Sequence, residues 1–160
     1  MRSMTSILRE QIKERIRNKI DISDLIEDVD IKGENLSNAI ISKLRIINSN
    51  ISGCNFSNSI LGNDKDIFTL IRVTMDNCNF NGAKFIGNAQ IRSCKARNCN
   101  FKNSDVALVS YEYTDFSGST FCNAKITIDS RGGLGAIFDI SLLKDLTKEW
   151  KNQIKIEEIK

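Results

Sequence analysis

The chain contains no histidine and no proline among its 160 residues. Without histidine, a Ser-His-Asp triad, a Cys-His pair and any histidine-based metal site are excluded. Without proline every residue keeps its backbone N–H, which suits a structure held together by ladder hydrogen bonds. No stretch approaches the roughly 18 to 20 apolar residues of a membrane span. The N-terminus, MRSMTSILREQIKERIRNKI, mixes charges throughout, unlike the apolar core of a signal peptide. These absences predict a cytoplasmic protein whose five cysteines are reduced thiols, not a disulfide framework. Neither sign of charge dominates: 23 basic and 20 acidic residues leave +3, too little to announce a nucleic-acid or membrane partner. Aromatics are sparse at 7%, yet an apolar total of 41% supplies one domain with a real core.

What the sequence does contain is a repeat of five. Reading in fives gives Ile26, Ile31, Leu36, Ile41, Ile46, Ile51, Phe56 and Leu61. A second series runs Leu70, Met75, Phe80, Phe85, and after one extra residue a third runs Ile91, Ala96, Phe101, Val106, Tyr111, Phe116, Phe121, Ile126. Two places before most of these sits something small, as in Ala39, Cys54, Ser59, Cys78, Ala83, Cys99 and Ser104. A helix repeats at about 3.6 residues and a strand at two, so neither explains the period. Positions five apart on a continuous strand would face opposite ways, and the chain must therefore turn a corner within each unit. Such units bury their apolar faces only by stacking, which makes a solenoid. Asn, Asp, Ser and Gly fill the outward places, as corners require.

The pattern small, Asn or Asp, Phe or Leu, any, any covers about residues 26 to 126 and resembles the pentapeptide-repeat protein family. That resemblance implies an all-β solenoid, a right-handed quadrilateral β-helix with four pentapeptides per square coil and the central and small residues pointing inward. Eight, four and eight units then make about five coils, on the order of 24 Å tall. Asp24, Val29, Glu34 and Leu44 depart from the pattern at the small inward site. The organisation reads as an N-terminal capping helix over 1–25, the β-helix over 26–138 with a loop near 62–69, and a C-terminal helix and tail over 139–160. At the loop, Gly62 to Lys65 would bulge outward and Leu70 resume the stack; in the alternative, Asp66 and Ile71 continue the old phase as a strained coil. A further single residue near Ile86 to Asn88 reads as a bulge.

The ends need covers. Residues 3 to 20 read as an amphipathic helix with Ile7, Leu8, Ile12, Ile16 and Ile20 on its packed side, a cap more than a membrane binder because Glu10 and Glu14 dilute its basic charge. At the other end Leu142, Leu143, Leu146 and Trp150 recur at helical spacing after an N-cap at Asp139 or Ser141. Trp150 would seal the last coil or anchor a homodimer, as the resemblance allows.

Function is sought on the outer surface. Residues twenty apart should stack, which puts Ile40 with Ile60 and Leu108 with Ile128 on one face; with Trp150 these form a candidate interaction surface. Arg72, Arg92, Lys95, Arg97 and Lys102 form a candidate basic patch, Arg72 lying below Arg92. Cys54, Cys78, Cys94 and Cys99 occupy inward sites where packing explains them, Cys78 and Cys99 being stacked neighbours, while Cys122 points outward and is the thiol most open to reaction. Gly132 to Gly135 lack the lysine and the setting of a phosphate loop, so no nucleotide site or other cofactor is expected. The reading is a non-catalytic scaffold for protein–protein interaction. The resemblance also implies an alternative, DNA-mimic binding to DNA gyrase with protection from quinolones or inhibition. Against it, Asp105, Glu112, Asp115 and Asp129 fall on different faces and the net sign is positive. Nucleic-acid binding through the basic patch is a third, weaker reading.

Overall fold

Each unit makes a short extended stretch and a corner, and both are fixed locally. In the unit around Phe56, the Asn55 side-chain oxygen accepts from the Ser57 N–H at 3.0 Å, and the Ser59 N–H closes a turn onto the Phe56 carbonyl at 3.2 Å. The same side-chain turn recurs at Asn35, Asn50, Asn79, Asn100 and Asp115. An Asn or Asp before the central residue therefore bends the backbone at that point. Many corners also need a left-handed residue, filled by Asn38, Asn58, Asn98, Asn103 and Asn123 with φ between 55° and 61°.

The computed structural model describes residues 1–107, 109–126 and 135–138, which form a β-solenoid of about four turns. Helices α1 (Ser6–Arg17) and α2 (Ser23–Ile26) come first. The strands are β1 (Ile40–Ile41), β2 (Leu44–Ile47), β3 (Ile60–Leu61), β4 (Phe68–Ile71), β5 (Lys84–Phe85), β6 (Gln90–Arg92), β7 (Asp105–Val106) and β8 (Lys125–Ile126). All pair in parallel, in the orders β1-β3-β5-β7-β8 and β2-β4-β6. Two more walls are columns of single bridges, Asn35–Asn55–Asn79–Asn100–Thr120 and Asn50–Thr74–Lys95–Asp115–Ile137. Five strands in the longer sheet bound the four complete turns between Ile41 and Ile126.

The turns differ in length. Ile40 pairs with Ile60, Ile60 with Lys84 and Lys84 with Asp105, steps of 20, 24 and 21 residues. Leu70 stacks on Ile46, so the four additional residues lie between β3 and β4, and the single one lies between β5 and β6. Both insertions occupy the same corner.

The interior is a set of columns. Phe56, Phe80, Phe101 and Phe121 stack with centroids 5.1, 4.9 and 4.8 Å apart and rings within 6° of parallel. Inward hydroxyls bond main-chain carbonyls below them: Ser59 to Leu36 at 2.8 Å, Thr114 to Ile91 at 2.7 Å and Ser119 to Ala96 at 2.6 Å. Among the described residues no buried side-chain polar atom lacks a hydrogen-bond partner.

The stack begins before the repeat does. Asp21 bridges to Ile40, and the fully buried Ile22 lies at the foot of that wall, whereas Ile26 belongs to α2. Asp24 does not point inward as its place in the repeat implies; it is exposed and bonded to Arg15. Arg2 adds a parallel bridge beneath Val29, with its carbonyl accepting from the Asp30 N–H at 2.8 Å. Helix α1 is shorter than the amphipathic reading and uses a narrower stripe. Ile12 is buried and Leu8 and Ile16 pack beside it, but Ile7 and Ile20 are 73% and 50% exposed.

Candidate interaction surfaces

The register places Ile40 and Ile60 one above the other, both half-buried. The column continues as Lys84, Asp105 and Lys125, with Lys125 3.5 Å from the Asp105 carboxylate, so the outward apolar line is two residues long at that position. Ile86 lies one corner position away and is also half-buried. Leu108, Ile128 and Trp150 lie outside the described residues.

Beside Ile60 the double insertion forms one feature. Within residues 62–67 the Asn63 side chain accepts from the Lys65 and Asp66 N–H groups at 2.7 and 2.6 Å, so the loop carries its own turn. Gly62 and Gly87, at φ 86° and 72°, pack against each other's segment: a Cβ on Gly62 would collide with the Ile86 carbonyl oxygen, and one on Gly87 would lie 2.5 Å from the Asn63 carbonyl oxygen. Only glycine permits this approach. Ile67 at the loop's end is 45% exposed.

The basic patch is divided, and two of its five cations are paired with carboxylates. Arg92 follows the inward Ile91, Lys95 and Arg97 flank the inward Ala96, and Lys102 follows the inward Phe101, which puts them on three walls. Arg92 pairs with Glu112 on the next turn, and Arg97 with Asp76 on the turn before, its Nε 3.2 Å from Oδ1. The hydrogen bond from Arg97 holds the Asp76 carboxyl below its ordinary range against the opposing effect of burial. Arg72 is not beneath Arg92: the one-residue insertion pairs Arg92 with Ile71, and Arg72 reaches Asn48 instead, at 2.6 Å. A spacing of twenty gives the Arg92–Glu112 pair but not the partners of Arg97 and Arg72, which lie 21 and 24 residues away.

At the N-terminal end a cleft of about 550 Å³ separates β2 from α2, lined by Met1, Asp24, Glu27, Asp28, Lys43 and Arg45 among others. Beside it, Asp21 accepts from the Ser23 N–H at 2.7 Å and the Ser42 N–H at 3.0 Å. Partial burial pushes the Asp21 carboxyl up, but these hydrogen bonds outweigh it and the net direction is down. Among the described residues no three His, Cys, Asp or Glu side chains converge as a metal site, and no helix is long and apolar enough to cross a membrane.

A five-residue repeat whose central and small residues line the interior of four stacked walls makes the chain a β-solenoid of five-residue units. Its pattern resembles that of the pentapeptide-repeat proteins. No family model and no curated protein matches it. Among solved structures it is similar to HetL, a pentapeptide repeat protein involved in heterocyst differentiation regulation from the cyanobacterium Nostoc sp. Strain PCC 7120, at 16% identity and TM-score 0.31, covering 74% of this chain and 64% of that one. A pentapeptide repeat protein, Rfr23, from the cyanobacterium Cyanothece 51142 matches at 19% identity and TM-score 0.21 over 69% of this chain and 54% of its own. A trypsin-treated QnrB1, a plasmid-mediated fluoroquinolone resistance protein, matches at 15% identity and TM-score 0.21 over 81% and 86%. The chain thus spans less than two thirds of the length of HetL and Rfr23.

Proposed function

We propose that this protein is a non-catalytic scaffold that binds a protein partner through its outer surface. The observation that carries the reading is the stacked pair Ile40 and Ile60 beside the inserted corner of residues 62–67: apolar side chains held on a rigid wall next to a projecting loop. On this reading the surface continues to Leu108 and Ile128, Trp150 closes the last coil or pairs two copies through the C-terminal helix, and the stack is a right-handed square of five coils in a cytoplasmic protein. The test replaces Ile40 and Ile60 together by Asp. Loss of self-association or of a co-purifying partner, with circular dichroism unchanged, is expected; retention of both sinks the reading.

The gyrase alternative requires carboxylates in rows. Asp76, Asp105 and Glu112 instead each pair with a cation on a neighbouring turn, which favours the scaffold reading. In a gyrase supercoiling assay with and without a quinolone, no effect at excess protein is expected, and protection or inhibition would restore the alternative. Binding to nucleic acid through Lys95 and Lys102 would fall steeply with salt, whereas partner capture on the isoleucine wall should change little.

A further inference from the structure

Cys54, Cys78 and Cys99 hold one inward position on successive turns. The residues after them, Asn55, Asn79 and Asn100, form a single bridge column, and the Asn79 and Asn100 N–H groups bond the Cys54 and Cys78 carbonyls at 2.9 and 3.0 Å. All three thiols are at most 2% exposed. Each donates to a carbonyl of the turn below: Cys54 to Ile31 at 2.7 Å, Cys78 to Ile51 at 3.2 Å and Cys99 to Met75 at 3.0 Å. Those carbonyls already accept the N–H groups of Glu34, Cys54 and Cys78, so a thiol that loses its proton leaves no acceptor unsatisfied. The neighbouring thiols of Cys54 and Cys99, together with burial, raise the Cys78 thiol strongly.

Parallel side chains one rung apart, about 4.8 Å, are poorly placed for a disulfide, which needs sulfurs about 2 Å apart and a dihedral near 90°. They are well placed for an ion between them. Two metal–thiolate bonds of about 2.3 Å, laid end to end, span about 4.6 Å, and soft sulfur ligands select soft cations. We propose that the cysteine column is a two-coordinate site for a soft monovalent metal cation, copper(I) or silver(I), held between Cys78 and a neighbouring cysteine. The S–H bond of one thiol breaks, a metal–sulfur bond forms, and the proton leaves to solvent. The second sulfur donates a lone pair, the buried net charge is unchanged, and nothing is oxidised or reduced. Because the column is sealed, loading accompanies folding.

The test uses the full chain carrying Cys122→Ala, which removes the half-buried outward thiol, refolded without oxygen in equimolar silver(I). Retained silver is measured by mass spectrometry after a weak thioether wash, with the thermal midpoint alongside. Silver retained in equimolar amount with a raised midpoint is expected. Adding Cys78→Ser should abolish both effects, while adding Cys94→Ser should preserve them. Serine already occupies this column at Ser119, its hydroxyl bonded to the Ala96 carbonyl at 2.6 Å, so the Cys78→Ser variant has a fold to adopt. Equal retention by Cys78→Ser, a lowered midpoint, or failure to refold with silver overturns the proposal.

Discussion

At the scale of single residues, glycine is required at some corners and merely convenient at others. Gly62→Ala places a methyl against the Ile86 backbone at positive φ, whereas Gly33, also at positive φ, has nothing within 4 Å of the same position. Gly62→Ala should cost about 3 kcal/mol, strain and overpacking together, and Gly33→Ala about 1 kcal/mol. Urea denaturation of both variants checks the difference; equal costs would mean the inserted corner yields. Asp76 supplies a pH prediction. Its folded pKa is lowered, first by the hydrogen bond from Arg97, so its contribution is present above the unfolded value of about 3.9 and is lost as pH falls through the lower folded value. Asp76→Asn should therefore be less stable than the parent at neutral pH and converge with it in acid, read from urea midpoints across a pH series. The inward residues were legible in the sequence because burial imposes the period on them. The partner of Asp76 was not, because it depends on a turn of 21 residues instead of 20.

At the scale of elements, the anomalies of the repeat mark where the cap docks. Glu34 stands at a small inward site and receives Arg9 of α1, with Nε at 3.0 Å from Oε2, and Asp24 receives Arg15, with Nη2 at 3.1 Å from Oδ2. The sequence exposed the departures but not their purpose, since the arginines lie in a segment with no repeat to set a register. Nor could periodicity alone separate Ile7 from Leu8: the packed stripe is Leu8, Ile12 and Ile16, four apart, and Ile20 falls beyond the C-cap at Asn18. Burial should outweigh the ion pairs here. Ile12→Ala is expected to cost about 2–4 kcal/mol, while Glu34→Ala costs clearly less because its arginine is half exposed. Guanidinium denaturation of the two variants tests the order, and a larger loss from Glu34→Ala would reverse it.

At the scale of the molecule, each turn touches chiefly the turn above and the turn below, so stability is carried along one dimension. The Phe column makes that concrete. Phe101 stacks on Phe80 at 4.9 Å and Phe121 at 4.8 Å, and meets Phe116 edge-on. Truncating it opens a cavity in one of the interior columns through which the upper turns draw support from the lower ones. Phe101→Ala should cost about 3–5 kcal/mol, a large share of the roughly 5–15 kcal/mol that holds a domain together. The loss should not be shared evenly. Hydrogen exchange is expected to speed up in the amides around Phe116 and Phe121, which keep only their own turn and its upper neighbour, while those around Phe56 stay protected by the turns stacked on the α1 end. Equal acceleration on both sides of residue 101 would show that the solenoid unfolds as one unit, and that its turns are coupled by more than the contacts between nearest neighbours.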